Sequence, residues 1–298
     1  MNILKPIVHE TVWGGSRLTS FSGSTSEKIG HLYCFIDSEQ FSNEIIAGEF
    51  KGKNLHQWFI ANRDRFGLMN YERLPFLSAL VDATDNLSIQ VHPDDLTAKK
   101  LEQAPFGKNE SFYILEPPTS GKMFNGVLTD DVKKFEEAVR KGETLQYVDS
   151  LECKAGDYIY VIGGTLHAAA AGTLSFEIEE NCEHTYRFFD FNRKDKEGNP
   201  RPLQIDNALI SVDLSKKSKT HKAGPLFVER LYWSQLKKPD GVYQNNTDNF
   251  LFLVSLDKNI NCQGLIVKPG TAILLDPQEE INVGDATVIC VGPSGTTK

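Results

Sequence analysis

The sequence predicts a mainly β fold, a sandwich or barrel of short strands with a few helices between them. Three observations carry this. Apolar, β-branched and aromatic runs recur, as in "DYIYVI" (157–162), "TLSFEIEE" (173–180), "NFLFLVSL" (249–256) and "ATVICV" (286–291). The 23 glycines and 13 prolines punctuate them, and short strands parted by turn signals build sandwiches and barrels. A faint internal repeat, "KAGDYIYVI" (154–162) and "KPGTAILLD" (268–276), shares a Lys-x-Gly lead-in to an apolar strand. It points to two related β units, with chance likeness of a common turn-and-strand pattern as the competing explanation. His167 follows Gly156 by eleven positions, and Ile281 stands at the same place after Gly270. Only the first unit therefore offers a ligand-type side chain there.

Helices interrupt the strands at three places. "NLHQWFIANRDRFG" (54–67) and "TDDVKKFEEAVRKG" (129–142) carry apolar residues at helical spacing. The second is expected to start at a Thr129 cap and end at Gly142. "PLQIDNALISV" (202–212) is a weaker helical pattern. "SKKSKTHKAG" (215–224) is basic and apolar-poor, and reads as a linker with solvated lysines.

The 298 residues suffice for one large or two moderate domains. A net charge of -8 argues against nucleic acid as a general partner, while leaving an anionic small substrate open. Five cysteines (34, 153, 182, 262 and 290) without CxxC spacing suit buried, reduced thiols in a cytoplasm better than a disulfide frame. "MNILKPIVHE" lacks the pattern of a signal peptide, and no apolar run approaches the roughly 20 residues that span a bilayer. A cytoplasmic chain with no membrane partner is expected.

Four segments bear on chemistry. "LSIQVHPDD" (87–95) alternates like a strand, with Leu87, Ile89 and Val91 on one face and Ser88, Gln90 and His92 on the other. Pro93 should stop it. In "GKNESFYIL" (107–115) Lys108 and Glu110 share a face, opposite Asn109 and Ser111. "GGTLHA" (163–168) is a glycine turn that delivers His167. "HTYRFFDFNR" (184–193) sets Thr185, Arg187 and Phe189 against Tyr186, Phe188 and Asp190. Gln90, His92, Glu110 and His167 make a nitrogen- and oxygen-rich set suited to a divalent transition metal, provided that their strands converge.

The stretch from Gly156 to Ala168 resembles the second metal motif of the cupin barrels. The ordered set "LSIQVHPDD", "GKNE", "GGTLHA" and "FEIEENCEHTYRFFDFNR", with the opening "LKPIVHETVWGG" (4–15), resembles the short bacterial type I mannose-6-phosphate isomerases. The likeness covers most of residues 1–212. It implies a double cupin, two jelly-roll barrels with a few inserted helices. Residues 1–220 would form the metal-binding catalytic unit and 221–298 a barrel without metal ligands. It further implies one zinc per chain at Gln90, His92, Glu110 and His167, Arg187 and Lys108 as catalytic residues, and Ser88 near the sugar phosphate. Ser88 as a strand hydroxyl bonded to backbone is the equal alternative. Asp190 and Arg193 also match the pattern, and are expected to form a structural ion pair or part of the pocket wall. The implied reaction interconverts mannose 6-phosphate and fructose 6-phosphate through an enediol, on a monomer or homodimer.

This chain departs from the family pattern at several places. Ile162 stands where proline precedes the glycine turn, and Glu179 and Glu180 stand in "EIEE" where "EIQQ" is usual. "GHLYCF" (30–35) replaces a "GESWE" segment, and Ala79 replaces a lysine. If the extra carboxylates face inward, they repel a phosphate. Three rival readings follow: a sugar-binding or altered-specificity paralogue, a cupin oxygenase using His92, Glu110 and His167 for iron, and a structural cupin. The last has no need of Lys108 and Arg187 beside the ligand set.

Overall fold

A computed structural model of the protein describes residues 1–195 and 197–294. Its strands form two seven-stranded sheets, one five-stranded sheet and two hairpin-sized sheets, all paired antiparallel. The central sheet runs in the order Thr220–Lys222, Asp157–Val161, Glu110–Glu116, Thr173–Glu180, Phe76–Ala83, Ile7–Gly15, Ile29–Phe35. The five-stranded sheet runs Tyr186–Phe189, Ile89–Val91, His167–Ala168, Lys122–Val127, Val148–Glu152. The third runs Phe227–Val228, Tyr232–Lys237, Val288–Pro293, Leu251–Ser255, Ala272–Leu275, Asn2–Leu4, Ile45–Ala47.

Side-chain alternation turns these sheets into layers. On Phe76–Ala83, Ala79, Val81 and Ala83 face a core shared with Ile89, Val91 and Ala168 of the five-stranded sheet. Leu80 of the same strand faces the opposite core, against Phe252, Leu274 and Val291 of the third sheet. The third sheet alternates likewise. Phe252 and Val254 enter that middle core, while Leu251 and Leu253 enter another with Tyr243, Ile281 and Val283. The central sheet is therefore buried on both faces, which explains why "TLSFEIEE" is buried from end to end. Each unit is a pair of facing sheets, as the jelly-roll expectation implies.

The repeat is visible as one shared turn. Asp157 N donates to Lys154 O and Thr271 N to Lys268 O, and Gly156 and Gly270 both adopt φ of 79°. That left-handed value favours glycine at both places.

The expected helices occur with shifted ends. Leu55–Asn62 starts from an Asn54–Gln57 capping box and buries Leu55, Trp58 and Phe59, but it stops well before residue 67. Val132–Arg140 is capped by Asp131, whose side chain accepts from Lys134 N; Thr129 instead accepts from Asp131 N. Gly142 closes that helix at positive φ, as expected. The weak third pattern is helical over Ile205–Ser211. Asp95–Glu102, capped by Asp94, is a helix that the sequence reading did not foresee. The stretch 215–224 is more than a linker. Thr220–Lys222 pairs with Asp157–Val161, Lys216 donates to Gly163 O, and Lys217 and Lys222 pair with Asp149 and Asp157.

The sequence reading put a boundary between residues 220 and 221. Sheet pairing runs across it, because Asn2–Leu4 lies between Ala272–Leu275 and Ile45–Ala47. All five cysteines are free and buried. No helix among the described residues is long and apolar enough to cross a membrane.

Candidate active site

The motifs meet at the corner after His92. Gly107 and Gly163 both lie against Pro93; an added Cβ would sit 2.2 Å and 2.7 Å from its carbonyl oxygen. Lys108 N donates to Pro93 O, and Gly164 N donates to His92 O. Asn109 Oδ1 accepts from Gly163 N. The close backbone approach needs glycine at both places. It locks "QVHP", "GKNE" and "GGTLH" into one unit, and so brings together side chains that are far apart in sequence.

That unit places His92, Glu110 and His167, all buried, with one ligand-type atom each within 4.8 Å of one another. His167 Nε2 lies 2.6 Å from Glu110 Oε1, and His92 Nε2 lies 3.3 Å from Glu110 Oε2. Each Nδ1 faces a backbone carbonyl, His184 O for His92 and Thr165 O for His167. A carbonyl can only accept, so both Nδ1 atoms donate and each ring turns its Nε2 towards the carboxylate. Neither Nε2 has a hydrogen-bond partner. Three buried acceptors aimed at one point lack only a cation, and the donor set fits a divalent metal. Gln90 stands beside them, paired in register with His167 and with Arg187.

Charge around the cluster is uneven. Burial, helped by Lys108, lowers His92 to about 4 and keeps it neutral. Lys108 pairs with Glu179 and stands 3.7 Å from Glu110; burial opposes its charge, and the two carboxylates more than restore it. Glu177 accepts from Ser175 Oγ, and no ion pair reaches it among the described residues. Burial, then Glu179 and Glu110, raise it well above an ordinary carboxyl.

Gln90, Lys108, Glu110, His167, Arg187 and Ser88 line one cavity of about 420 Å³. Ser88 Oγ donates to Gln90 Oε1, so the serine meets a side chain rather than the backbone. Arg187 is half-buried, and its Nε has no hydrogen-bond partner. Burial and the nearby Arg201 lower its pKa, and a guanidinium still remains charged. Asp190 pairs with Arg193 and Arg201, the structural ion pair expected for the first two.

Sequence reasoning missed Arg201, Glu177, His9, Thr11 and His31 as cavity-lining groups. The "GHLYCF" departure marked His31, and "EIEE" marked Glu177. Nothing local marked Arg201. The two added carboxylates have different surroundings. Glu179 lines the cavity against Lys108, whereas Glu180 pairs with Arg230 and accepts from Asn109.

Comparison with known proteins points to one family. A model of the phosphomannose isomerase type I catalytic domain matches residues 1–116, a span that holds Gln90, His92, Lys108 and Glu110. Mannose-6-phosphate isomerase ManA of Bacillus subtilis is 30% identical over 218 residues, 73% of this chain and 69% of that protein. The mannose-6-phosphate isomerase of Streptococcus mutans is 29% identical over 215 residues, 72% of this chain and 68% of the other. The crystal structure of the Bacillus subtilis mannose 6-phosphate isomerase superposes with a TM-score of 0.84 at 25% identity, covering 97% of this chain and 98% of that one. With this similarity over most of both chains, a shared double-sheet architecture and the motifs joined at Pro93, the chain belongs to the type I phosphomannose isomerase family.

Proposed function

We propose that this chain is a zinc-dependent isomerase that interconverts mannose 6-phosphate and fructose 6-phosphate. The observation that supports this most is the convergence of His92 Nε2, His167 Nε2 and the Glu110 carboxylate, with Glu110 and His167 lining the same cavity as Lys108 and Arg187. Gln90, His92, Glu110 and His167 would hold one zinc per chain. Once bound, the ion supplies Lewis-acid polarisation of sugar oxygens.

The chain's own residues do the rest. Moving a proton between C2 and C1 passes through an enediol, and negative charge develops on the sugar oxygens. Arg187 is always charged and stabilises that charge without exchanging a proton. Lys108, kept cationic by Glu179 and Glu110, holds an oxygen in place. Glu177 lines the same cavity, and burial, then Glu179 and Glu110, raise it well above an ordinary carboxyl, the direction that suits a group exchanging protons with the sugar. Ser88 fixes Gln90 and faces the substrate. Arg201 adds positive charge beside Arg187 for the phosphate. Residues 1–220 carry the chemistry in this reading, and 221–298 support it. The buried free thiols suit the cytoplasm, with the chain acting as a monomer or homodimer.

A coupled assay for fructose 6-phosphate formed from mannose 6-phosphate tests this, on chelated protein before and after zinc is restored. Turnover that vanishes and returns supports the reading. A zinc-loaded chain with no turnover sinks it, and oxygen uptake with Fe(II) would support an oxygenase instead.

A further inference from the structure

We propose that His9, Thr11 and His31 form a wall of the cavity that binds sugar hydroxyls and so selects the polyol the enzyme accepts. This rests on the isomerase reading and deepens it.

The three residues lie on two paired strands, Ile7–Gly15 and Ile29–Phe35, with His9 opposite His31 in register. All three line the cavity. His9 Nδ1, Thr11 Oγ1 and His31 Nδ1 are buried and have no hydrogen-bond partner. Three orphaned polar atoms on one patch are uncommon, because folded chains pair almost all such groups. The patch is also built to hold its shape. Thr11 packs over Gly30, where an added Cβ would meet its hydroxyl at 2.2 Å. His31 stacks on Tyr33 with ring centroids 5.3 Å apart and meets Trp13 edge-on at 5.1 Å.

The chemistry narrows the ligand. Burial lowers the pKa of both histidines, so each imidazole is neutral and offers one donor and one acceptor. Glu177 and Glu179 line the same cavity and disfavour an anion at this wall. Among the described residues, only His92, Glu110 and His167 bring His, Cys or carboxylate atoms together as a metal site. An uncharged group that both donates and accepts remains, and hydroxyl does both. Trp13, Tyr33 and Phe41 add apolar faces to the cavity for the C–H side of a sugar.

The departures from the family pattern meet here. His31 and Tyr33 belong to "GHLYCF", and Ala79 pairs in register with both Tyr33 and Glu177. A carboxylate of the usual pattern is thus replaced by a neutral imidazole on the wall, and a lysine by Ala79 on the strand beside it. Selectivity for the sugar's hydroxyls is where this chain should differ from its relatives.

The test measures binding to the zinc-loaded protein by calorimetry, using a hexitol 6-phosphate and inorganic phosphate as probes. A hexitol phosphate carries the hydroxyls and the anion but has no carbonyl to isomerise. His31→Phe keeps the ring packing, and Thr11→Val keeps the shape. Each should weaken hexitol 6-phosphate binding about 10-fold or more, with phosphate affinity and zinc content unchanged. Unchanged hexitol phosphate affinity in both variants, or equal weakening for both probes, overturns the proposal. If His31→Phe fails to fold, Thr11→Val decides alone. A wild-type chain that binds the hexitol phosphate through this wall yet makes no fructose 6-phosphate would sink the isomerase reading and leave the wall standing.

Discussion

The two Lys-x-Gly units begin with the same turn and end in opposite interiors. The strand Asp157–Val161 leads through a glycine turn to His167, against Glu110. The strand Ala272–Leu275 leads to Ile281, packed among Leu251, Leu253 and Val283. In the first unit the cavity holds buried charge: Glu110, Glu177 and Glu179, with Lys108 beside them. In the C-terminal unit the buried polar residues are uncharged, and Asn245 and Ser255 bond to backbone. One architecture thus supports an interior with charged and unpartnered polar groups, or an apolar one whose polar groups are satisfied by the backbone. Unpartnered buried polar atoms mark the first kind.

The largest expected effect comes from removing the charge at the centre of the polar interior. Glu110→Gln should reduce zinc content below one per chain and lower kcat/KM by about 10³-fold or more, since it removes the only negative charge of the proposed ligand set. Metal analysis beside the coupled assay checks this, and full zinc occupancy would refute it. Arg187→Ala should come next, with kcat down on the order of 10²-fold at unchanged zinc content. Arg187→Lys should recover little of it, because an ammonium lacks the planar fork. A lowered melting temperature with normal turnover per folded molecule would instead make Arg187 structural.

The apolar interior should respond in the opposite way. Leu253 is fully buried, and Leu253→Ala should destabilise by about 2–5 kcal/mol. Turnover per folded molecule should stay within about two-fold of wild type, because nothing in the cluster touches that core. A large kcat loss with intact zinc would show that the two interiors are coupled. The smallest effect is on pH. His31 sits near 3 in the folded chain against 6.5 when free. The unfolded chain takes a proton as pH falls through 6.5, while the folded chain resists until about 3. Its contribution is complete above 6.5 and is lost between 6.5 and about 3. Thermal unfolding of His31→Phe should therefore slope less with falling pH than wild type; parallel curves would count against a neutral buried imidazole.

Much of this was legible in the sequence where one residue type has one use. "TLSFEIEE" is a strand over the full expected span, and "LSIQVHP" ends its strand before Pro93. The shared face of Lys108 and Glu110 followed from strand alternation. Local reading failed where tertiary partners decide. The helix takes Asp131 as its cap in place of Thr129 and buries Phe135 and Val139. The basic stretch 215–224 has few apolar residues, yet the open edge of Asp157–Val161 recruits Thr220–Lys222. Arg201 enters the cavity through Asp190, a contact that no periodicity encodes.

The position of Asn2–Leu4 has a consequence for how the chain is made. Asn2 pairs with Leu274, so an early strand must wait for almost the whole of translation before its sheet exists. Pairings this distant in sequence close late and slow folding. The strands that carry the metal-type cluster lie between residues 89 and 168, and can assemble much sooner. Until the C-terminal sheet arrives, the core that Leu4 and Ile45 enter lacks Tyr232, Phe252, Leu274 and Val291, and the face of the central sheet with Tyr113, Tyr158 and Phe176 stays uncovered. A ribosome-bound chain would thus carry its metal-type cluster in place while exposing a sticky apolar face, making the last quarter of the sequence its own solubility cover.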